Sequence, residues 1–125
     1  DSRRVDGVDW YWPAGERIRQ VEPPERVRLL APFDPVVWDR PRFERFWGWA
    51  YRFEAYTPAA KRVRGHYALP LLWRERVIGW GNLAWRDGRL HAELGHVDGQ
   101  APREPAFRTA LDEELGRLEA FLAPR

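Results

Sequence analysis

Two runs of alternating apolar and polar residues flank an Asp-Gly pair in the last third of the chain. The segment Val77–Val97 reads VIGWGNLAWRDGRLHAELGHV, with Asp87-Gly88 between its two halves. Asp-Gly favours a two-residue type I′ turn, because both central positions need positive φ. The pattern therefore predicts a β-hairpin in which Arg86 faces Arg89.

This turn also sets the register of the whole hairpin. One face would carry an apolar row in which three pairs stand opposite each other: Trp85 with Leu90, Leu83 with Ala92, and Gly81 with Leu94. The other face would carry Ala84 with His91 and Asn82 with Glu93, and we expect it to be open to solvent. Glycines at positions 79 and 81 indicate a bulge or strong coiling of the first strand.

Helical periodicity appears in two places. Apolar side chains at positions 107, 111, 115, 118 and 122 predict a long amphipathic helix at the C-terminus, with Glu113 and Glu114 on its solvated face. In Pro41–Gly48, apolar residues at spacings of three and four predict a two-turn helix that ends at the glycine. Asp34-Pro35 resembles a helix start and is followed by a short turn.

The remaining apolar segments predict short strands. They are Val8–Trp12, Arg26–Leu30, Tyr51–Tyr56, Val63–Leu69 and Leu71–Trp73, with Pro70 marking a break or an edge. The predicted fold class is α+β, with a small, curved, barrel-like and mostly antiparallel sheet, one short helix and a long C-terminal helix. We expect residues 1–20 to be a linker and edge strand from a preceding domain, residues 21–103 a β-rich barrel-like domain, and residues 104–125 a helix packed on its sheet.

Length and composition restrict the classes of protein. A chain of 125 residues has room for one domain, and it contains neither cysteine nor an apolar run of the roughly 20 residues that cross a membrane. We therefore expect a cytoplasmic protein with no membrane partner. Methionine is also absent, even at position 1, which indicates a piece of a longer protein.

The usual catalytic and metal-binding patterns are missing. Asp34 with Asp39, or Glu113 with Glu114, could supply paired carboxylates, but capping explains Asp34 and a solvated helix face explains the glutamates. The only serine is Ser2. The three histidines, at positions 66, 91 and 96, lack the spacing of metal ligands. We therefore predict no catalytic residue, no metal and no cofactor within this chain.

Two basic groups could bind nucleic acid. In the first, which includes Lys61, alternation would place Arg62, Arg64 and His66 as a stripe on one strand face; in the second, Arg86 and Arg89 meet at the hairpin tip. Opposed like charges destabilise a strand pair unless an anion lies between them, and phosphate would satisfy both. The alternative is that both groups are simply solvated. The net charge of +2 does not decide between these readings.

Eight tryptophans add a further possibility, since an aromatic surface among arginines could stack bases. We expect Trp38, Trp47 and Trp85 to belong to the core. Those at positions 10, 12 and 73 lie nearer to edges and are less easily assigned. Trp80, on the outer face of the hairpin, is the candidate for an interaction face.

Several longer blocks of sequence resemble one bacterial family. They are Leu29–Arg40 (LLAPFDPVVWDR), Tyr51–Pro58 (YRFEAYTP), the Lys61-Arg62 pair with the Gly65, Tyr67, Leu69 and Pro70 that follow it, and residues 6–14 (DGVDWYWPA). Together they are similar to the C-terminal part of AlkZ/YcaQ-type winged-helix DNA glycosylases, which excise bulky alkylated bases and unhook interstrand cross-links. The resemblance covers roughly residues 5–98 and, more loosely, the final helix.

The resemblance implies tandem winged helices followed by a β-rich domain, with duplex DNA bound across both. It also implies a catalytic Q-x-Q or Q-x-D motif, but the only glutamines here, Gln20 and Gln100, are isolated. We therefore expect a non-catalytic domain that positions double-stranded DNA beside the winged-helix domains of the same protein. The family's hairpin tends to be polar and basic where this chain has Gly79–Trp85, so its DNA-facing role is less directly implied. The alternative is a protein-interaction or domain-docking module that uses Trp80.

Overall fold

The computed structural model describes residues 1–125 and begins with a two-stranded hairpin. Strands β1 (Ser2–Val5) and β2 (Val8–Tyr11) pair across Asp6-Gly7, whose φ angles are 50° and 77°. The strand predicted at Val8–Trp12 is present as β2, and Asp6-Gly7, with the same turn chemistry as Asp87-Gly88, adds β1 as its partner. Trp10 of this hairpin stacks on Phe46, with ring centroids 5.3 Å apart.

A four-stranded antiparallel sheet forms the centre of the fold. Its strand order is β3 (Val27–Leu29), β4 (Leu69–Trp73), β5 (Arg76–Arg86) and β6 (Arg89–His96). The register predicted for the β5–β6 hairpin is confirmed, from the Arg86–Arg89 pair at the turn to the Gly81–Leu94 pair. Asp87 and Gly88 have the positive φ angles that the turn requires.

The sheet curls into an open half-barrel. The β4–β5 register shifts so that Leu71 pairs with Gly79 and Leu72 with Val77, which leaves Ile78 as the extra residue of a bulge. A side chain at Gly79 would lie only 2.0 Å from the Gly95 carbonyl oxygen, so this close approach requires glycine. The structure confirms an α+β fold with a curved antiparallel sheet and a C-terminal helix.

Both predicted helices are present. Helix α1 (Arg40–Trp47) is capped by the Asp39 side chain and ends at Gly48, which has a φ of 74°. Helix α2 (Pro105–Leu122) packs on one face of the sheet. Seven buried residues form the first core, between α2 and the sheet: Val27, Leu29, Leu71, Trp73, Phe107, Ala110 and Leu111. Neither helix has the length and apolar character that spanning a lipid bilayer requires.

A second core covers the opposite face of the sheet. It joins α1 to β5 and to the chain that follows α1, through Val37, Phe43, Trp49, Tyr51 and Val77. The strands predicted at Tyr51–Tyr56 and Val63–Leu69 are wrong, because residues 50–68 contain no strand and only one 3-10 turn, Ala59–Lys61. The backbone N–H groups of residues 63–65 bind a buried carboxylate instead of a neighbouring strand.

Two smaller predictions also fail. Pro70 does not break the sheet, since it lies within β4, pairs with Trp80 and accepts a hydrogen bond from the Leu30 N–H at its carbonyl oxygen. Trp38 is 58% exposed rather than part of the core. The Asp34 carbonyl accepts from the N–H groups of both Val37 and Trp38, and this single turn directs Val37 inward and Trp38 outward.

Helix α2 is held to β3 by a carboxylate that sequence periodicity assigned to solvent. Glu113 is exposed as expected, whereas Glu114 is fully buried. The Leu29 N–H donates to its Oε1 at 3.0 Å, Arg28 donates to Oε2 at 3.2 Å, and Arg117 donates to both oxygens at 2.9 and 3.0 Å. The pairing raises the pKa of Arg117, mainly through its hydrogen bond to Glu114.

We expect Glu114→Ala to lower the free energy of unfolding by about 2–4 kcal/mol, because it leaves the buried Leu29 N–H without a partner and separates two arginines from their carboxylate. Urea denaturation followed by tryptophan fluorescence measures the change. Glu113→Ala, one residue earlier on the exposed face, is the matched control and should stay within about 0.5 kcal/mol of the parent. Equal effects of the two variants would contradict the assigned role of Glu114.

Candidate nucleic-acid interface

The tip of the β5–β6 hairpin carries two unneutralised arginines. Arg86 and Arg89 stand directly opposite each other, are both exposed, and form no ion pair. Other arginines of the chain do pair with carboxylates: Arg4, Arg28, Arg74, Arg108 and Arg117. The two tip arginines therefore keep free hydrogen-bond donors at one exposed point, with Asp87 of the turn between them in sequence.

Helix α2 fixes the base of this tip. The Leu90 N–H, one residue after Arg89, donates to Oε1 of Glu119 at 3.0 Å. Leu83 and Leu94 of the hairpin pack against the core beneath α2. The arginines thus extend from a strand pair whose position is set by packing and by a helix side chain.

A polar cleft lies beside the tip, and we call it the hairpin cleft. It has a volume of about 450 Å³, and its polar walls are His66 and Tyr67 from the loop before β4 and Asn82, Arg86, His91 and Glu93 from the hairpin. The hairpin face expected to be open to solvent is thus partly covered. Sequence reasoning missed the approach of His66 to His91, because it depends on how residues 61–68 cross β5.

The loop crosses β5 because Asn82 holds it there. The Asn82 amide donates to the Arg64 carbonyl at 2.8 Å. Gly65, at a φ of 136°, lies so close that a Cβ would be 2.3 Å from the Asn82 side-chain oxygen. Glycine at position 65 therefore allows the loop to pack directly against the Asn82 side chain.

The buried carboxylate of Glu54 organises the same loop. It accepts hydrogen bonds from the N–H groups of Val63, Arg64 and Gly65 at 2.9–3.1 Å. Burial raises the pKa of Glu54, but these three donors and the Arg64 charge outweigh it and lower the pKa below the ordinary value of 4.5. Residues 63–65 therefore wrap around the Glu54 carboxylate.

This winding separates the residues of the predicted basic stripe. Lys61 is exposed at the end of the 3-10 turn, and Arg62 donates from Nε to the Thr57 carbonyl at 2.8 Å. Arg64 is directed elsewhere, with its guanidinium carbon 5.0 Å from the ring centroids of both Trp49 and Trp80. The three cations do not share a strand face, and their contact with nucleic acid stays a prediction.

Trp80 is half-buried in the same arrangement. Its ring lies 6.2 Å from that of Trp49, and a side chain at Gly95 would come within 2.3 Å of it. Arg64 covers it from another side, with a buried Nε that has no hydrogen-bond partner. The structure thus places Trp80 against Trp49, Gly95 and Arg64. The role of Trp80 at an interaction face stays a prediction.

Burial shifts the pKa of two other titratable groups, one in the second core and one beneath helix α2. Burial raises the pKa of Tyr51 to about 12 against the opposing effect of Arg40, and its hydroxyl donates to the Ala68 carbonyl at 2.7 Å. Burial lowers the pKa of His96, whose ring lies 6.2 Å from Phe107 under α2. His96 is thus on the opposite side of the sheet from the hairpin cleft, as the register predicted.

Gln20 and Gln100 are both exposed, and the latter contacts only Arg103, at 3.5 Å. No group of three or more His, Cys, Asp or Glu side chains is placed to hold a metal ion. The features that the structure does assemble are cationic and hydrogen-bonding ones around the hairpin.

Glu54→Gln is expected to lower the free energy of unfolding at pH 7 by about 1–3 kcal/mol, because an amide accepts fewer of the three N–H bonds and places its own donor among them. Since folding lowers the pKa of Glu54, its contribution is complete above pH 4.5 and is lost as the pH falls below that value. Urea denaturation between pH 3 and 7 should show the difference between parent and variant shrinking with acidity. An exposed control, Glu44→Gln, should show no such convergence, and a pH-independent difference for Glu54→Gln would contradict the assignment.

Comparison with known proteins bears on this interface. No solved structure matches the chain. A family model described as DNA glycosylase AlkZ-like matches residues 3–121, which is nearly the whole sequence. The match includes both hairpins, the loop around Glu54 and helix α2. The chain therefore belongs to the AlkZ-like DNA glycosylase family, a DNA-repair family that acts on DNA.

Proposed function

We propose that this chain is a non-catalytic domain that binds and positions duplex DNA in a glycosylase that repairs alkylated or cross-linked DNA. The observation that carries the proposal is the exposed Arg86–Arg89 pair at the hairpin tip, which has no carboxylate partner. Guanidinium groups match phosphate oxygens in geometry and charge. An anion between the two arginines would also remove their mutual repulsion.

The hairpin cleft supports the same proposal. Asn82, His66 and His91 place further hydrogen-bond donors and acceptors beside Arg86, although Glu93 contributes an opposing charge on the same wall. Contacts of this kind to phosphate and sugar fix the position of a protein on DNA without reading its sequence. We therefore propose contact with the DNA backbone and assign base excision to winged-helix domains of the same protein, with which this domain would act.

Reversing both charges with Arg86→Glu plus Arg89→Glu should weaken binding to a fluorescein-labelled duplex by tenfold or more in roughly 0.1 M KCl. If each arginine contacts one phosphate, the slope of log K against log[KCl] should fall in magnitude by about 0.9 per contact. Fluorescence anisotropy over a range of KCl concentrations measures both quantities.

Arg17→Glu plus Arg19→Glu is the matched control, since both residues are exposed, lack ion pairs and give the same change in net charge. It should retain most of the affinity and the original slope. Equal losses from the two pairs would mean that only net charge matters, and an unchanged affinity for the tip variant would refute contact at the hairpin.

The chain alone should release no base from alkylated duplex DNA. Its two glutamines are isolated in sequence and exposed, so the chain carries no Q-x-Q or Q-x-D motif. Chromatographic detection of free alkylated bases after incubation at a large excess of protein tests this. Release above the rate of spontaneous depurination would show that the domain is itself catalytic.

A further inference from the structure

Four aromatic rings form a continuous exposed surface outside both cores. We call Phe33, Phe53, Tyr56 and Tyr67 the aromatic patch. Phe53 lies at its centre, with ring centroids 5.7 Å from Phe33, 6.3 Å from Tyr56 and 5.0 Å from Tyr67. The three outer residues are 71%, 93% and 51% exposed, respectively.

The arrangement leaves ring faces accessible. Each outer ring meets Phe53 edge to face, at interplanar angles of 67°, 83° and 87°. Such contacts hold the rings in place but do not cover both faces of the outer ones. A contiguous exposed apolar patch is a feature of interaction sites, whereas single exposed apolar residues are ordinary.

The position of the patch relates it to the proposed DNA contact. Tyr67 belongs both to the patch and to the wall of the hairpin cleft, so the exposed rings continue into the surface that leads to Arg86. Arg62 binds the carbonyl of Thr57, the residue after Tyr56, and Lys61 is exposed nearby in sequence. Lys61 and Arg62 therefore lie on the loop side of the aromatic patch, and Arg86 lies on its hairpin side.

The two carboxylates next to the patch in sequence are both bound by backbone N–H groups. Glu54, beside Phe53 in sequence, is buried and bound by three backbone N–H groups. Asp34, beside Phe33, accepts a hydrogen bond from the Val36 N–H. Aromatic faces bordered by cations favour a ligand that combines flat π systems with negative charge.

We propose that the aromatic patch stacks unpaired bases of a nucleic-acid strand whose adjoining duplex is held at the hairpin tip. This inference rests on the proposed DNA contact and adds to it a site for single-stranded or unstacked nucleotides. Stacking on such rings is tolerant of sequence, because every base has a π face, while Lys61, Arg62 and Arg86 would accompany the phosphates. The occupant is thus a strand with bases exposed, and a paired duplex alone leaves the patch empty.

Two single-stranded probes of equal charge separate stacking from phosphate attraction. One is a fluorescein-labelled ten-nucleotide oligothymidylate, and the other is the same backbone with abasic tetrahydrofuran sites. The intact chain should bind the first roughly tenfold or more tightly than the second. Tyr56→Ala should lose about that factor for oligothymidylate and nothing for the abasic probe or for duplex DNA.

Two further variants control for the loss of a ring as such. Tyr56→Phe keeps the ring and should retain the affinity for oligothymidylate. Phe121→Ala removes another aromatic residue that is 81% exposed, on α2, and should change neither probe. Because Tyr56 is 93% exposed, its replacement leaves both cores intact, which an unchanged urea midpoint verifies.

The outcomes distinguish this proposal from the duplex contact. Equal affinity of the intact chain for the two single-stranded probes, or no binding of either, overturns stacking even where Arg86 and Arg89 remain essential for duplex binding. If Tyr56→Ala leaves both probes unaffected but abolishes self-association in sedimentation velocity, the patch is a protein-contact surface and the proposal is wrong. Selective loss of oligothymidylate binding in Tyr56→Ala, with duplex binding preserved, supports it.

Discussion

A buried carboxylate that binds backbone N–H groups is the interaction on which the candidate interface depends. Glu54 gathers the amides of residues 63–65, so this segment cannot join the sheet and instead crosses the outer face of β5. His66 and Tyr67 follow directly from that crossing, and with them one wall of the hairpin cleft and one edge of the aromatic patch. The cost of burying a charge is offset because several oriented dipoles surround it.

The two faces of the sheet are closed in different ways, which explains why chemistry gathers on one of them. Helix α2 covers the first face with a regular apolar stripe and binds β3 through Glu114. The second face is covered by a short helix and an irregular segment, and the latter leaves gaps and exposed rings. The irregular segment places polar and aromatic side chains beside the hairpin. A second packed helix would have excluded these side chains.

Local patterns were sufficient for a large part of this fold. The β5–β6 register follows from one Asp-Gly turn, and both helices follow from apolar spacing and their terminal residues. The same reasoning failed where side chains bind distant backbone. Glu54 contacts residues nine to eleven positions away and Glu114 contacts Leu29 across 85 positions, and no periodicity encodes such bonds.

The candidate interface likewise contains some features that local sequence predicts and others that it does not. The opposition of Arg86 and Arg89 could be predicted because it is a property of the turn itself. The presence of His66 and His91 in one cleft could not be predicted, nor could the separation of Arg64 from Lys61 and Arg62, because both depend on the path of the loop. Trp80 packs against the second core, and its contacts with Arg64 and Gly95 arise from tertiary approach that no local pattern encodes.

The bond between Glu119 and the Leu90 N–H has an effect on how the molecule behaves toward its own copies. Strand β6 is an outer strand of the open half-barrel, and an outer strand offers free amides to which a strand of another molecule can add. Glu119 occupies one of these amides, and α2 packs along the same strand. Helix α2, which completes the first core, therefore also hinders the addition of another molecule's strand at the β6 edge.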